Sequence, residues 1–500
     1  MQRSIGIDQS ARERRERPGS LGLAAAFLMA TSLLFSPLTA HGQSGDSSNP
    51  SPTAGTNSSV SLPSSSPFVG GVPEGKATPE VLPLSFKEAI DRGLRNNLGL
   101  LLQSDTSLNA RGEKWKELSE LLPNLSATIS ENAAQVDLAA EGLRFPGFPT
   151  VVGPFGFFDA RVAVSQSVFD WHAIERERGA ALNEKAAQYS YKDARDIVVL
   201  AVGNAYLVAL SGAARVETMQ AQVQTAQALY DKAADELKAG VIPAIDALRA
   251  QVELQTRQQQ LIVARNDYAK QKLQLARAIG LPPGQEFALT DTAPYAPLAA
   301  LGLQESLRRA YQDRADYQAA LLQVKAAESF RSAATAEHYP SLQAGGNYGD
   351  TGITPNNSHG AFQAAATLKI PVFAGGKAHA DALQAEATLR QSQQQLADLR
   401  SRIDYEVRTA LLDLAAADDQ VKVARSSVDL AEKALTQAQD RFAAGVTDNL
   451  EVVQAQESVA AAHESYISSL YQHNLSKVEL ARAMGFAEEG VRQYLQTMGK

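Results

Sequence analysis

The chain of 500 residues contains no cysteine. That excludes disulfides, thiolate metal sites, cysteine nucleophiles and lipid attachment at an N-terminal cysteine. Aromatic residues make up only 6% of the sequence, while Ala and Gln are abundant, a composition suited to long helices with narrow seams. There is no excess of positive charge: 47 Lys and Arg face 55 Asp and Glu, for a net charge of −8. Such a balance argues against nucleic acid as a partner. Beyond the first forty residues no hydrophobic run reads as a membrane-spanning helix, which needs roughly 20 apolar residues. A mature chain of this kind is either soluble or enters a membrane as strands.

What is present begins with an export signal. Arg12, Arg14, Arg15 and Arg17 form a basic start, an apolar stretch runs from Leu21 to Phe35, and "SPLTA" ends at Ala40 as a cleavage site. Residues 1–40 hold five Arg and three acids, so the mature chain carries −8 − 2 = −10. Residues 41–83, rich in Ser and Pro, read as a disordered tether. Structure is expected to start at "LSFKEAIDRGLRNN", where Ser85 and Glu88 form a capping box.

An internal repeat then organises the chain. "LSFKEAIDRGL" at 84 matches "LGLQESLRRAY" at 301, and "LLPNLSA" at 121 matches "HYPSLQA" at 338, both offset by 217. "SQSVFDW" at 165 matches "KIPVFAG" at 369, offset by 204, and "LARAIG" at 275 matches "LARAMG" at 480, offset by 205. The drop of 217 − 204 = 13 places a longer loop in the first half, the Phe- and Gly-rich "EGLRFPGFPTVVGPFGFF". Two repeats follow, 84–300 and 301–485, with a tail at 486–500. Helices are expected near 84–120, 172–239, 244–280, 303–338, 375–444 and 448–485, and strands near 124–136, 157–169, 341–350 and 361–372.

The strands alternate. Leu125, Ala127 and Ile129 interleave with Ser126, Thr128 and Ser130; Phe362, Ala364 and Ala366 interleave with Gln363 and Thr367. One apolar and one polar face, over lengths near the 9–11 residues that cross a bilayer, is the pattern of a barrel with lipid outside and water inside. Four strands cannot close a barrel, and an open edge in lipid leaves backbone groups unpaired. Several copies must share one, and periodicity does not choose between two copies and three.

The long helices need partners along their whole length. Val216, Met219, Val223, Ala226, Tyr230, Ala233 and Leu237 step by threes and fours, and so do the positions 205 later, Val421 to Phe442. That is a heptad seam. Gly240 and Gly445 stand just past the descending helices, where a left-handed cap favours glycine. Pro243 suits the first turn of one returning helix, and Asp448 with Glu451 resembles a capping box on the other. Each half is therefore a helical hairpin on a strand pair.

No catalytic constellation is found, and no cofactor is expected. His463 and His473 share a helix but sit ten apart, off the spacing of a shared metal site, and read as lone exposed histidines. "GGKAH" at 375 lacks the remaining positions of a phosphate loop and reads as a strand-to-helix corner.

The order and double occurrence of these segments resemble the TolC-like outer-membrane efflux proteins. "LPLSFKEAIDRGLRNN", "LLPNLSATIS", "IPVFAGGKAHA", the tips "KAGVIPAIDALRAQ" and "AAGVTDNLEVVQAQ", and the closers "LARAIGLP" and "LARAMG" carry the likeness over about 84–485. The resemblance implies a mainly α fold with a transmembrane β contribution. A homotrimer would form a twelve-strand barrel in outer-membrane lipid, continuous with a periplasmic α-helical coiled-coil barrel. The chain would be the passive exit duct of a tripartite efflux pump or type I secretion system. Its partners would be a periplasmic adaptor and an inner-membrane pump of RND or ABC type. Adaptor docking would fall on Gly240, Val241, Gly445 and Val446. The periplasmic gate would fall on Glu451 and Gln454, with Asp246 and Arg249 as first-half equivalents; where the family often has a second acid, this chain has Gln454. A soluble periplasmic coiled-coil scaffold is the alternative, and heat-modifiable, salt-resistant association with outer membranes separates the two.

Overall fold

A computed structural model describes residues 66–291, 295–297, 302–444, 446–447 and 449–490. The export signal and residues 41–65 of the expected tether lie outside the described residues.

Each repeat opens with two helices. The first repeat has α1 (Phe86–Asn96) and α2 (Leu98–Ser119), preceded by the short strand β1 (Leu82–Leu84). Strands β2 (Asn124–Asp137) and β3 (Val151–Phe169) lead into α3 (Trp171–Lys238) and α4 (Ala244–Ala278), and a short β4 (Phe287–Leu289) follows. The second repeat runs α5 (Leu303–Asp313), α6 (Ala315–Ala336), β5 (Ser341–Thr354), β6 (Asn357–Lys369), α7 (Lys377–Ala443) and α8 (Asn449–Ala483). At about 1.5 Å per residue, the 68 residues of α3 span roughly 100 Å.

Where one helix was expected near 84–120 and another near 303–338, there are two pairs. Asn97 and Arg314, 217 residues apart, both take extended backbone (ψ 127° and 120°) and break the helix at the same place in each repeat. At Asn97 the break is held from outside the helix. Its side-chain amide donates to Phe68 O at 2.7 Å and its carbonyl oxygen accepts from Gly99 N–H at 3.0 Å.

Residues 66–83, expected to belong to the tether, form an ordered strap. Gly71 bridges Asn97, Thr78 N–H donates to Gln285 Oε1 at 2.7 Å, and β1 pairs in parallel with β4. The anchors are a few apolar residues that composition hides: Phe68 packs on the core and Leu84 is buried in it. The capping box forms, with Ser85 N–H donating to Glu88 Oε2 at 2.9 Å. Of the tail expected at 486–500, residues 486–490 are described, and Ala487 is buried in the core.

The main core lies midway along the long helices. Phe86 and Ile90 of α1 meet Val198, Val202, Tyr206 and Leu210 of α3, with Leu275 of α4 and Val478 of α8. A second cluster joins Leu307 of α5 to Ile403 and Val407 of α7 and Leu480 of α8. The core stretch makes α3 more apolar than the sequence reading allowed: one 18-residue window is apolar enough to cross a membrane. Half of that window is buried inside the protein, in keeping with its role as a packing surface. Toward the tips, the heptad seams carry the packing: Ala226 and Ala233 of α3 and Val421, Ala424 and Ala438 of α7 are buried, and only Leu237, at the very end, is exposed.

His473 corrects the expectation of an exposed histidine. It is fully buried, tilted against Tyr295 with ring centroids 5.2 Å apart, and its Nε2 lies 3.7 Å from Asp418. Burial and the neighbouring Lys477 push its pKa down to about 4. Nearby on α8, burial and Asp413 of α7 push Glu479 up to about 7. The folded chain therefore holds the Glu479 proton to near pH 7, while the unfolded chain releases it near 4.5. The penalty of the buried charge is fully present above pH 7 and fades as pH falls toward 4.5. Glu479→Gln should thus melt higher than the unsubstituted protein at pH 8, by the equivalent of about 3 kcal/mol. The advantage should vanish by pH 4.5, and a gap in melting temperature that stays constant between the two pH values would contradict this account.

Candidate channel wall and gate

The four long strands form one antiparallel sheet in the order β2-β3-β5-β6. The two hairpins expected from the sequence are thus joined by β3 pairing with β5, Val162 opposite Tyr348. Register aligns the faces across all four strands. Ala127, Val162, Tyr348 and Phe362 form one cross-strand row, and Leu125, Val164, Gly346 and Ala364 another. This face is apolar and open: Leu125 is 71% exposed and Phe362 81%. The opposite face carries the rows Ser126, Ala163, Asn347, Gln363 and Ser130, Asp159, Thr351, His359. On it Arg161 and Asp159 pair at 2.6 Å.

The outer edges of the sheet, β2 and β6, have no neighbouring strand among the described residues. β2 and β5 have the same length, and β5 turns back through only Pro355 and Asn356, whereas residues 138–150 separate β2 from β3. The long first-half loop thus sits at the end of the sheet farthest from the helices.

At the other extreme are the hairpin tips. Gly240 has φ +72°, and its N–H donates to Leu237 O at 3.0 Å while Val241 N–H donates to Glu236 O at 2.9 Å. These two bonds are a Schellman cap, and the left-handed position is where glycine costs least. In the second hairpin the equivalent bond runs from Val446 N–H to Arg441 O at 3.0 Å. Gly445 and Asp448 lie outside the described residues. Val241 and Val446 are 71% and 69% exposed. Pro243 is the N-cap of α4, one position before the first turn.

The four expected gate positions fall on the first two turns of α4 and α8, Asp246 and Glu451 in the first and Arg249 and Gln454 in the second. Asp246 pairs with Arg249 on its own helix at 3.2 Å. Glu451 reaches across its hairpin: Arg441 of α7 donates to it at 2.8 Å, and the Thr447 hydroxyl donates to its other oxygen. Gln454 is exposed. Sequence reasoning missed Arg441 and Thr447. Their signal was available in the turn itself, because a tight hairpin places Arg441 opposite a residue ten positions later.

The two hairpins are bound firmly at mid-length and loosely at the tips. Arg215 and Arg195 of α3 each make a bidentate pair, with Glu464 of α8 and with Glu488 just after it. Tyr471 donates to Asn204 at 2.7 Å and Arg482 donates to Asp193. Nearer the tips a gap of about 340 Å³ opens between the hairpins, lined by Gln222, Arg257, Leu435, Gln456 and His463. The hairpins also carry exposed apolar stripes, left uncovered by the described residues of the chain. Ile245, Leu248 and Val252 follow one side of α4, and Tyr405, Leu412, Val423 and Leu430 one side of α7, all more than half exposed.

Residues 118–281 and 306–486 match the outer membrane efflux protein family. Among curated relatives, the alkaline protease secretion protein AprF of Pseudomonas aeruginosa is 22% identical, covering 81% of this chain and 86% of AprF. The outer membrane protein TolC of Escherichia coli is 22% identical, covering 66% of this chain and 70% of TolC. The CmeC outer membrane channel of Campylobacter jejuni has the same fold: the TM-score is 0.70 at 16% identity, over 89% of this chain and 98% of CmeC. The outer membrane protein VceC of Vibrio cholerae aligns with a TM-score of 0.68 at 19% identity, over 80% of this chain and 96% of VceC.

Proposed function

Because the chain belongs to the outer membrane efflux protein family, and is an outer-membrane exit duct with a long periplasmic extension, we propose that three copies build the duct and that its helical tips form both gate and docking surface. The observation that carries this reading is the sheet. Four in-register strands with one apolar and one polar face leave two open edges. In lipid, those edges are tolerable only if β2 of one copy pairs with β6 of the next. Three copies then give a twelve-strand barrel with Arg161, Asp159 and Gln363 toward water. The exposed stripes of α4 and α7 supply the matching contacts between copies in the helical part.

The tips do the regulated work. The exposed turn residues Gly240, Val241 and Val446 suit a shallow contact with the helical hairpin of a periplasmic adaptor, which an inner-membrane pump of RND or ABC type would feed. Three copies of Glu451 and Asp246 gather near the axis. Each acid is already paired with an arginine in its own chain, Arg441 or Arg249. The Glu451 tie spans both helices of the hairpin and so holds the tip closed, while the cation at Arg441 tempers the acidic ring.

Recording the purified protein in planar bilayers tests this. Discrete single-channel steps with a cation preference are expected, and their absence would reject the duct. Glu451→Ala cuts the tie and removes three charges, so conductance should rise severalfold, or cation preference fall, relative to the unsubstituted channel. If both stay unchanged, Glu451 has no part in the gate.

A further inference from the structure

The water-facing side of the sheet changes character near its outer end. From Asp159 and Arg161, the same face continues along β3 to Phe157 and Phe155, which lie opposite Asn132 and Ala134. Both rings stand on the polar face, 44% and 43% exposed, opposite only the polar Asn132 and the small Ala134. Directly above them is the loop 138–150, present in the first hairpin alone. It is a folded lobe: Leu138 N–H donates to Thr150 O at 2.7 Å and closes its base, and Leu143 N–H donates to Leu138 O at 2.8 Å. The lobe displays Phe145 and Phe148, edge to face at 6.4 Å and 55% and 70% exposed.

Resting on the three-copy barrel of the preceding section, we infer that the lobes of the three copies meet across the outer mouth, and with Phe155 and Phe157 make an apolar outer constriction. Size permits it. Twelve strands about 4.8 Å apart and tilted by about 40° give a circumference near 75 Å and a radius near 12 Å. An eleven-residue projection, doubled back at about 3.3 Å per residue, reaches up to roughly 17 Å. Continuity favours a second copy as the occupant. The lobe leaves edge strand β2, which lies on the seam, and the neighbouring β6 belongs to a hairpin that ends in a two-residue turn. A lobe therefore overhangs a step on the adjacent copy. An apolar ring of this kind resists wetting until cargo parts it.

The absence of native cysteine makes the test direct. Phe148→Cys, and separately Phe145→Cys, are placed in the full chain, and outer membranes are oxidised with copper phenanthroline. Disulfide-linked dimers should appear on non-reducing gels, up to the limit of one pair per trimer. Phe362→Cys, on the lipid face, should give none. An intact trimer whose lobe thiols stay unlinked and are fully labelled by a polyethylene-glycol maleimide would overturn the inference, and would mean that the lobes lean outward over lipid. A chain that does not trimerise would overturn the constriction together with the barrel reading beneath it, and native gels of the same samples tell the two failures apart.

Discussion

A chain carrying Gly240→Trp together with Gly445→Trp should reach the outer membrane as an assembled duct and export nothing. The left-handed backbone at Gly240 penalises a side chain by about 1–2 kcal/mol. No heavy atom lies within 4 Å of where its Cβ would stand. The cost is thus local and modest, and the hairpin remains anchored by its mid-length salt bridges and core. The contact surface suffers far more. A turn displaying only Val241 or Val446 beside a bare backbone would gain an indole ring, and a shallow helix-to-helix contact cannot close over it. Membrane fractionation with native gels reads assembly, and accumulation of a fluorescent efflux substrate reads export. Export at the unsubstituted level would remove the docking assignment from these turns.

Arg314→Leu should fail at the opposite step, with little assembled protein recovered from membranes. Arg314 is only 2% exposed, at the break between α5 and α6. Its guanidinium donates to both oxygens of Asp316 at 3.0 and 2.7 Å, to Glu406 of α7 at 2.6 Å and to Ala483 O at the end of α8 at 3.3 Å. These acids hold its pKa above the ordinary arginine value despite burial. One side chain thus ties three helices together. Removing it takes both guanidinium bonds from the partly buried Asp316 and leaves the Ala483 carbonyl without its donor, a loss of the order of 3–5 kcal/mol. Gly485, with φ +83°, lies so close that a Cβ there would approach Arg314 N to 2.6 Å, so there is no room for the site to rearrange. Arg314→Lys, which keeps the charge and loses the fork, should recover part of the yield. Melting within a degree of the unsubstituted protein after Arg314→Leu would refute the assignment.

The same region shows what the sequence could and could not reveal. The strands and hairpin tips were legible because their signals are local. Alternation persists across Leu125 to Ile129 and Phe362 to Ile370, and Gly240 takes the positive φ that its place after a helix implies. The repeated closers "LARAIG" and "LARAMG" share a cause: Gly280 and Gly485 both have positive φ and approach the breaks at Asn96–Asn97 and Arg314 closely. The breaks themselves carry no Pro or Gly. They are set by distant partners, Phe68 for Asn97 and Glu406 for Arg314, which no local pattern exposes. The strap at 66–83 was hidden in the same way, because its Ser- and Pro-rich composition outweighs the few anchors that fix it. At the gate, Glu451 was legible as an acid near a turn, and its partner Arg441, ten positions earlier across the same tight hairpin, could have been read from the turn as well. His473 reads as an ordinary helical histidine until the connector bearing Tyr295 lies across it.

The shared barrel is tested most directly by counting chains. Native mass spectrometry of the detergent-extracted mature protein should give one species of three copies, stable only while detergent or lipid is present. A single chain that stays monodisperse in plain buffer would contradict the account, because the open edges of β2 and β6 would then need no neighbour.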